Sequence, residues 1–315
     1  MKYALLFPGQ GSQEVGMLAD LAATDPRIES TFREASGVLG WDLWKLVREG
    51  PKESLDRTQR TQPALLAAGI AVWRAWRAAE PPMPAALAGH SLGEYTALVA
   101  AGSIDFGTAL KLVELRGELM QGAVPAGEGA MAAVLGLDDE AVAKVCAAYP
   151  GPGVLEPANF NSAGQVVVAG SRAAIDWLQS KGKELGVRKV QPLAVSVPSH
   201  CSLMRPAAEK LALRLQEIEI RPPVLPVMHN VDARPRTEPD AIRQALIGQL
   251  HSPVRWSQCV QALAQAGASA YFECGPGKVL TGLNKRILDG GTFVSLGSPD
   301  GMREALAAAV RQEQA

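Results

Sequence analysis

Gly89-His90-Ser91-Leu92-Gly93-Glu94-Tyr95 is the stretch around which the rest of this 315-residue sequence becomes readable. The apolar run Ala85 to Ala88 leads into it as a short buried strand. Leu92 to Ala101 follows as a helix, stopped by Gly102 at its C′ position. Strand, Gly-x-Ser-x-Gly, helix is the setting in which this motif forms a nucleophile elbow. Gly89 and Gly93 allow a sharp turn and a close helix, which forces Ser91 onto a strained, exposed corner. Its hydroxyl then stands at a helix N-terminus, where free N–H groups and the helix dipole favour a developing oxyanion. A Gly/Ser turn without chemistry fits the seven residues equally well, so the flanking sequence has to decide.

The bulk composition narrows the class. The length suggests one large unit with an insertion, or two domains. Apolar residues at 47% and charged residues at 20% fit a globular protein with a substantial core. A formal net charge of −1 argues against a general nucleic-acid or membrane-surface binder, which would want a basic excess. The apolar run Tyr3 to Phe7 is too short for a signal-peptide core, and Ala64 to Trp73 is about half a membrane span. Cys146, Cys201, Cys259 and Cys274 are scattered without metal-ligand spacing. The expectation is a cytoplasmic, metal-free monomer with buried thiols.

Along the chain, Lys2 to Phe7 reads as a buried strand released into the loop Gly9-Gln10-Gly11-Ser12-Gln13. That loop lacks the spacings of the phosphate-binding motifs and is left as a source of backbone donors. Thr61 is expected to cap a helix with Pro63 in its first turn. Asp105 opens a further helix ending near Gly122. From Gly127 the pattern becomes strand 130–135, helix 138–148, strands 154–160 and 166–169, helix 173–185 and strand 188–195. That β-α-β-β-α-β order is the split βαβ of ferredoxin-like units, here an inserted subdomain over 127–196. Helices and strands alternate again from 197 to the C-terminal end, with a strand expected over 224–231. Residues 1–126 and 197–315 therefore form an α/β core around a mainly parallel sheet.

Arg116 stands apart. Its helical neighbours Leu112, Val113, Leu119 and Met120 are all apolar, while Lys111, Glu114 and Glu118 share another face. Such an arginine must snorkel, pair with a buried acid, or receive an anion from outside. A nucleophilic serine also needs a base, and only His90, His200, His229 and His251 are available. His90 precedes the nucleophile and should point away from it, in a supporting role. His229 lies in an apolar run and reads as a core histidine with a satisfied ring. His200 and His251 both sit in loops beside helix ends; the junction with the insertion favours His200 and leaves His251 open.

Taken together, several segments carry a resemblance. They are Phe7 to Gln13, the elbow, Glu114-Leu115-Arg116-Gly117, Asn159-Phe160-Asn161-Ser162, Val197-Pro198-Ser199-His200 and Gly275 to Leu280. In this order they resemble the bacterial malonyl-CoA:acyl carrier protein transacylases, essentially end to end. Ala163 departs from the proline expected after the Asn-x-Asn-Ser run, which should affect a loop and not the chemistry. The resemblance implies an α/β-hydrolase-like core with a ferredoxin-like insertion. It implies Ser91 as nucleophile, His200 as base oriented by the carbonyl of Gln249, and no acidic third member. It also implies an oxyanion hole from the N–H groups of Gln10 and Leu92, and Arg116 as the clamp for a malonyl carboxylate. Malonyl-CoA and acyl carrier protein would be the partners, without a cofactor, in ping-pong transfer for fatty acid synthesis. A water-using esterase or thioesterase, a polyketide acyltransferase and an idle carrier-docking scaffold are the competing readings. Lys189, Arg205, Lys285 and Arg286 are candidates for a basic docking patch.

Overall fold

The computed structural model describes residues 2–195 and 197–311, so the expected domain boundary at 196 and the last residues of the expected core lie outside the described residues. The strands are β1 (Lys2–Phe7), β2 (Ala86–Gly89), β3 (Gly129–Leu135), β4 (Leu155–Ser162), β5 (Gln165–Ser171), β6 (Lys189–Pro192), β7 (Val227–His229), β8 (Arg234–Pro235), β9 (Ala268–Glu273) and β10 (Thr292–Ser295). They form a six-stranded sheet, ordered β10-β9-β1-β2-β7-β8, and a four-stranded sheet, ordered β4-β5-β3-β6. The first is parallel except at β7/β8, and the second is antiparallel throughout.

Both faces of the central strands of the large sheet are covered, which is why β1 from Tyr3 on and β2 read as apolar runs. Alternation along β1 sends Tyr3, Leu5 and Phe7 into one core, with Leu87 and Phe272. It sends Ala4 and Leu6 into the other, with Ala86, Ala88, Met228 and Tyr271. β1 and β2 run side by side, with Phe7 opposite Gly89, so the first Gly-rich loop and the elbow leave adjacent strand ends. The carboxyl ends of parallel strands are where open α/β sheets place their ligands. The small sheet is tied to this end by a bridge between Asn159 and Val254, with Phe160 N donating to Val254 O at 2.9 Å.

Several expected elements shift. The helix expected from Thr61 runs over Thr58–Ala78 with Pro63 inside it. Thr61 is not its cap; its Oγ1 donates to Leu55 O at 2.6 Å and ties the helix to the turn before it. The strand expected over 224–231 shortens to β7, because Val224 is 76% exposed and Pro226 has no N–H to give a ladder. Within the small sheet, the second helix ends at Lys181 and β6 ends at Pro192. Four helices between Ala19 and Leu55 have no counterpart among the expected elements. Among the described residues no helix is long and apolar enough to cross a membrane. Cys146, Cys201, Cys259 and Cys274 are free and buried.

Candidate active site

The elbow is built by backbone crowding. A Cβ on Gly89 would lie 1.8 Å from Gly93 C, and one on Gly93 would lie 2.0 Å from Phe7 O. Only glycine lets the helix Leu92–Ala100 sit this close behind β1 and β2. Ser91 between them has φ 52° and ψ −106°, a strained backbone for a residue with a side chain. Asn230 holds that conformation: its Oδ1 accepts from Ser91 N at 2.8 Å and its Nδ2 donates to Gly89 O at 2.8 Å.

Ser91 Oγ lies 2.7 Å from His200 Nε2. The other ring nitrogen of His200, Nδ1, lies 2.8 Å from Gln249 O. A carbonyl can only accept, so Nδ1 carries the proton and Nε2 presents a lone pair to the serine hydroxyl. His200 also has positive φ, at 62°, and its N–H donates to Leu250 O at 3.2 Å. Burial, and then the charge of Arg116, push His200 down to about 3, against the opposing pull of the Gln249 carbonyl. The ring is therefore a neutral acceptor across the physiological range.

Arg116 is 1% exposed, so it does not snorkel. Its Nη1 donates to Gln62 Oε1 at 2.8 Å, and its Nη2 donates to Gln249 Oε1 at 3.0 Å and to Ser91 Oγ at 3.3 Å. Its guanidinium carbon stands 5.2 Å from the Tyr95 ring centroid. Among the described residues it forms no ion pair with a carboxylate; its direct partners are neutral. The helix carrying it, Phe106–Gln121, approaches the helix Thr58–Ala78 at Gly117, where a Cβ would lie 2.6 Å from Gln59 Cα.

A cavity of about 110 Å³ joins these groups. Ser91, His200, Arg116, Gln62 and the expected oxyanion donors Gln10 and Leu92 line it, and Met120, Met131, Leu193, Val195 and Val197 supply apolar wall. Neither the Gln10 N–H nor the Leu92 N–H is taken up by an acceptor among the described residues. His90 lines the same cavity but its Nε2 bonds Asn161 Oδ1 at 2.8 Å, away from the hydroxyl. His251 does not line it. Among the described residues no group of His, Cys, Asp and Glu is placed to hold a metal ion.

Some neighbours had no place among the expected site residues. Glu94, fully buried behind the elbow, accepts from His229 Nδ1 at 2.7 Å, Asn230 N at 2.8 Å and Gln249 Nε2 at 2.9 Å. The ring of His229 is thus only half satisfied, because its Nε2 has no partner among the described residues. Glu94 lies within the elbow motif itself, and Asn230 follows a histidine in an apolar run. A buried acid inside the motif was the signal available. Gln62, an amide in the first turns of an apolar helix, offered none.

The arrangement can activate a hydroxyl, receive an oxyanion and bind an anion beside both. The acyl transferase domain family matches residues 4–313. The malonyl CoA-acyl carrier protein transacylase of Escherichia coli (strain K12) is 53% identical over 305 residues, covering 97% of this chain and 99% of the relative. The crystal structure of an acyl carrier protein S-malonyltransferase from Vibrio cholerae superposes with a TM-score of 0.94 at 55% identity, covering 97% of this chain and all of that one. A malonyl-transacylase solved in complex with its type II polyketide acyl-carrier protein superposes at 0.96 with 50% identity, covering 98% of this chain and all of that one. The chain belongs to the acyl transferase domain family, among its malonyl CoA-acyl carrier protein transacylases.

Proposed function

We propose that the chain transfers the malonyl group of malonyl-CoA to the phosphopantetheine thiol of acyl carrier protein through a malonyl-Ser91 ester. The observation that carries this is the buried guanidinium of Arg116, unpaired with any carboxylate among the described residues and 3.3 Å from the hydroxyl that would hold the acyl group. A neutral ester would leave that charge unmet, which disfavours a general esterase.

In this reading His200 Nε2 takes the Ser91 proton as the oxygen attacks the thioester carbonyl. The N–H groups of Gln10 and Leu92 receive the oxyanion, and their freedom from internal acceptors supports that role. His200 then returns the proton to the departing CoA sulfur. In the second half the carrier thiol gives its proton to His200 and attacks the ester; the bond to Ser91 Oγ breaks, and His200 Nε2 hands the proton to that oxygen. The Gln249 carbonyl stabilises the imidazolium formed in each half-reaction, replacing an acidic third member. Arg116 pairs with the distal carboxylate of the acyl group, using two N–H groups.

The names of the relatives support the partners, and fatty acid synthesis in the cytoplasm by a monomer without a cofactor is the corresponding setting. The β-α-β-β-α-β order of the small sheet supports a ferredoxin-like insertion over 127–196. The parallel sheet supports an α/β-hydrolase-like core made of 1–126 and 197–315. The test is intact mass after malonyl-CoA, followed by peptide mapping and addition of holo carrier protein. A malonyl adduct on Ser91 that the carrier removes is expected. No adduct, or an adduct lost to water as fast as to carrier, overturns the reading.

A further inference from the structure

Glu94 is a buried ionisable group that the acyl-transfer steps leave unused. Glu94 is 0% exposed, on the elbow helix one turn after the nucleophile. Its carboxylate accepts from three donors, and one of them, Gln249, is also an acceptor for Arg116. The amide of Gln249 thus stands between the two charges: Arg116 Nη2 donates to its Oε1 at 3.0 Å, and its Nε2 donates to Glu94 Oε2 at 2.9 Å. The orientation of this amide follows from its neighbours. A guanidinium only donates and a carboxylate only accepts, so the flipped amide would face N–H with N–H and oxygen with oxygen. The bridge is polarised from the cation to the anion.

His229 does not compete for the anionic charge. Its Nδ1 faces Glu94 while its Nε2 has no partner among the described residues, in a site with no exposure. An imidazolium there would bury a second N–H with no acceptor, whereas the neutral ring leaves only a lone pair unmet. Glu94 and Arg116 are then the two formal charges of this network, both buried, not in direct contact, and linked by one amide.

We propose that Glu94 is the resident counter-charge of Arg116, coupled to it through the Gln249 side chain, and that it sets how strongly the vacant site attracts an acyl carboxylate. This rests on Arg116 as the carboxylate site. Glu94 is a positioning residue in this scheme, since it touches neither the cavity nor the reacting atoms. Its carboxylate keeps the buried guanidinium tolerable between turnovers and moderates the pull on the incoming anion, so that the acylated site is not an electrostatic trap. Lower dielectric strengthens both effects.

The isosteric variant E94Q removes the charge and can keep the hydrogen bonds. Its oxygen can serve Asn230 N and Gln249 Nε2, and its amide N–H can face His229 Nδ1 after a tautomer change; that change leaves the Nε2–H without an acceptor among the described residues, a cost borne equally with and without malonate and with and without the Arg116 charge. Thermal unfolding with and without malonate is the measurement. E94Q is expected to lower the midpoint of the free protein and to bind malonate roughly tenfold more tightly, within the usual range of coupling between sites. That factor corresponds to about 1.4 kcal/mol and to an additional malonate-induced rise of about 2–4 °C. In a double-mutant cycle, R116M is expected to restore much of the midpoint lost in E94Q. If E94Q fails to fold, E94Q/R116M must recover folding. A merely structural Glu94 would lower the midpoint with an unchanged malonate increment and additive behaviour with R116M, and either result overturns the proposal. Absence of any malonate shift in the unsubstituted protein would instead count against Arg116 as the carboxylate site, while the cycle with R116M would still decide the counter-charge.

Discussion

Arg116 Nη2 stands 3.3 Å from Ser91 Oγ, so the proposed nucleophile and the only guanidinium that lines the cavity among the described residues meet on one wall. An acyl group esterified to Ser91 reaches the guanidinium with its far end only if it is short and carries an acceptor there. Arg116→Ala should therefore lose roughly 30- to several thousand-fold in kcat/KM with malonyl-CoA, the equivalent of about 2–5 kcal/mol for a buried charge-assisted pair. The ratio of malonyl to acetyl transfer should collapse with it. Arg116→Lys keeps the charge but not the planar fork, and should recover only part of the loss. Steady-state kinetics with both thioesters are the check; a malonyl preference that survives Arg116→Ala contradicts the clamp.

The depressed proton affinity of His200 makes two pH predictions. The base acts when unprotonated, so its contribution to kcat/KM disappears as pH falls through about 3, not through the ordinary histidine range. A profile measured from pH 8 down to 5 should show no His200 limb, and one centred near 6.5 would contradict the site as described. Stability moves in the same direction. Below about pH 6.5 the unfolded chain protonates this histidine while the folded chain does not, so stability is lost as pH falls from there towards 3. The urea midpoint should drop between pH 7 and 5, and drop less in His200→Gln.

Gly93→Ala tests the elbow. The added Cβ would lie 2.0 Å from Phe7 O, a backbone atom of the central strand that cannot step aside. Either the helix Leu92–Ala100 moves outward or the strand does, and both carry Ser91 away from His200 Nε2. Overpacking of this kind costs about 1–3 kcal/mol, and transfer should fall by more than the stability loss accounts for. Gly102→Ala is the contrast: no atom lies within 4 Å of its Cβ, and the cost there is that of φ +71° alone. Equal activity losses in the two variants would show that the crowding at Gly93 does not position the nucleophile.

How much of this could be read in advance depended on whether the cause was local. Gly89, Ser91 and Gly93 announce a strand-to-helix corner within five residues, and β1 and β2 are marked by apolar runs with a glycine or proline at their ends. The expected βαββαβ order also reappears in the small sheet, because each of its hydrophobic stripes is bounded by Gly, Asp or Pro. The helix Pro26–Leu39 also carries local signals: Asp25 caps it, Pro26 opens it, and Ile28, Thr31, Phe32 and Ala35 are its buried stripe. Gln62 and Asn230 are different. Their importance comes from partners 54 and 139 positions away, Arg116 and Ser91, and no local pattern marks an amide whose acceptor or donor arrives from another element. Thr61 is a related case, since its hydroxyl donates to Leu55 O at 2.6 Å and to Arg57 O at 3.2 Å, carbonyls that precede the helix, and accepts from no N–H of its first turn.

Gln62 offers the sharpest test of the site's charge logic, because a single isosteric change supplies the acid that Arg116 lacks. Gln62 Oε1 accepts from Arg116 Nη1 at 2.8 Å in a fully buried contact. Gln62→Glu would place a carboxylate oxygen at the same position and convert a neutral hydrogen bond into an internal ion pair. Its other contact, in which Nε2 donates to Met120 Sδ at 3.3 Å, is weak and would be lost at little cost. The pair should form readily, since it relieves a desolvated cation that has no adjacent acid. An arginine already neutralised has far less to offer a malonyl carboxylate, which would now also meet a like charge. The KM for malonyl-CoA should rise and kcat/KM should fall by about two orders of magnitude, the scale of a few kcal/mol in differential charge interaction. Acetyl transfer, which never used the guanidinium, should change by much less. Gln62→Leu separates charge from contact: it removes the acceptor without adding an acid, leaves Nη1 unsatisfied at a cost of about 1–3 kcal/mol, and should weaken positioning while the preference for an anionic acyl group persists. If Gln62→Glu retains both its malonyl KM and its malonyl preference, the guanidinium does not bind the acyl carboxylate.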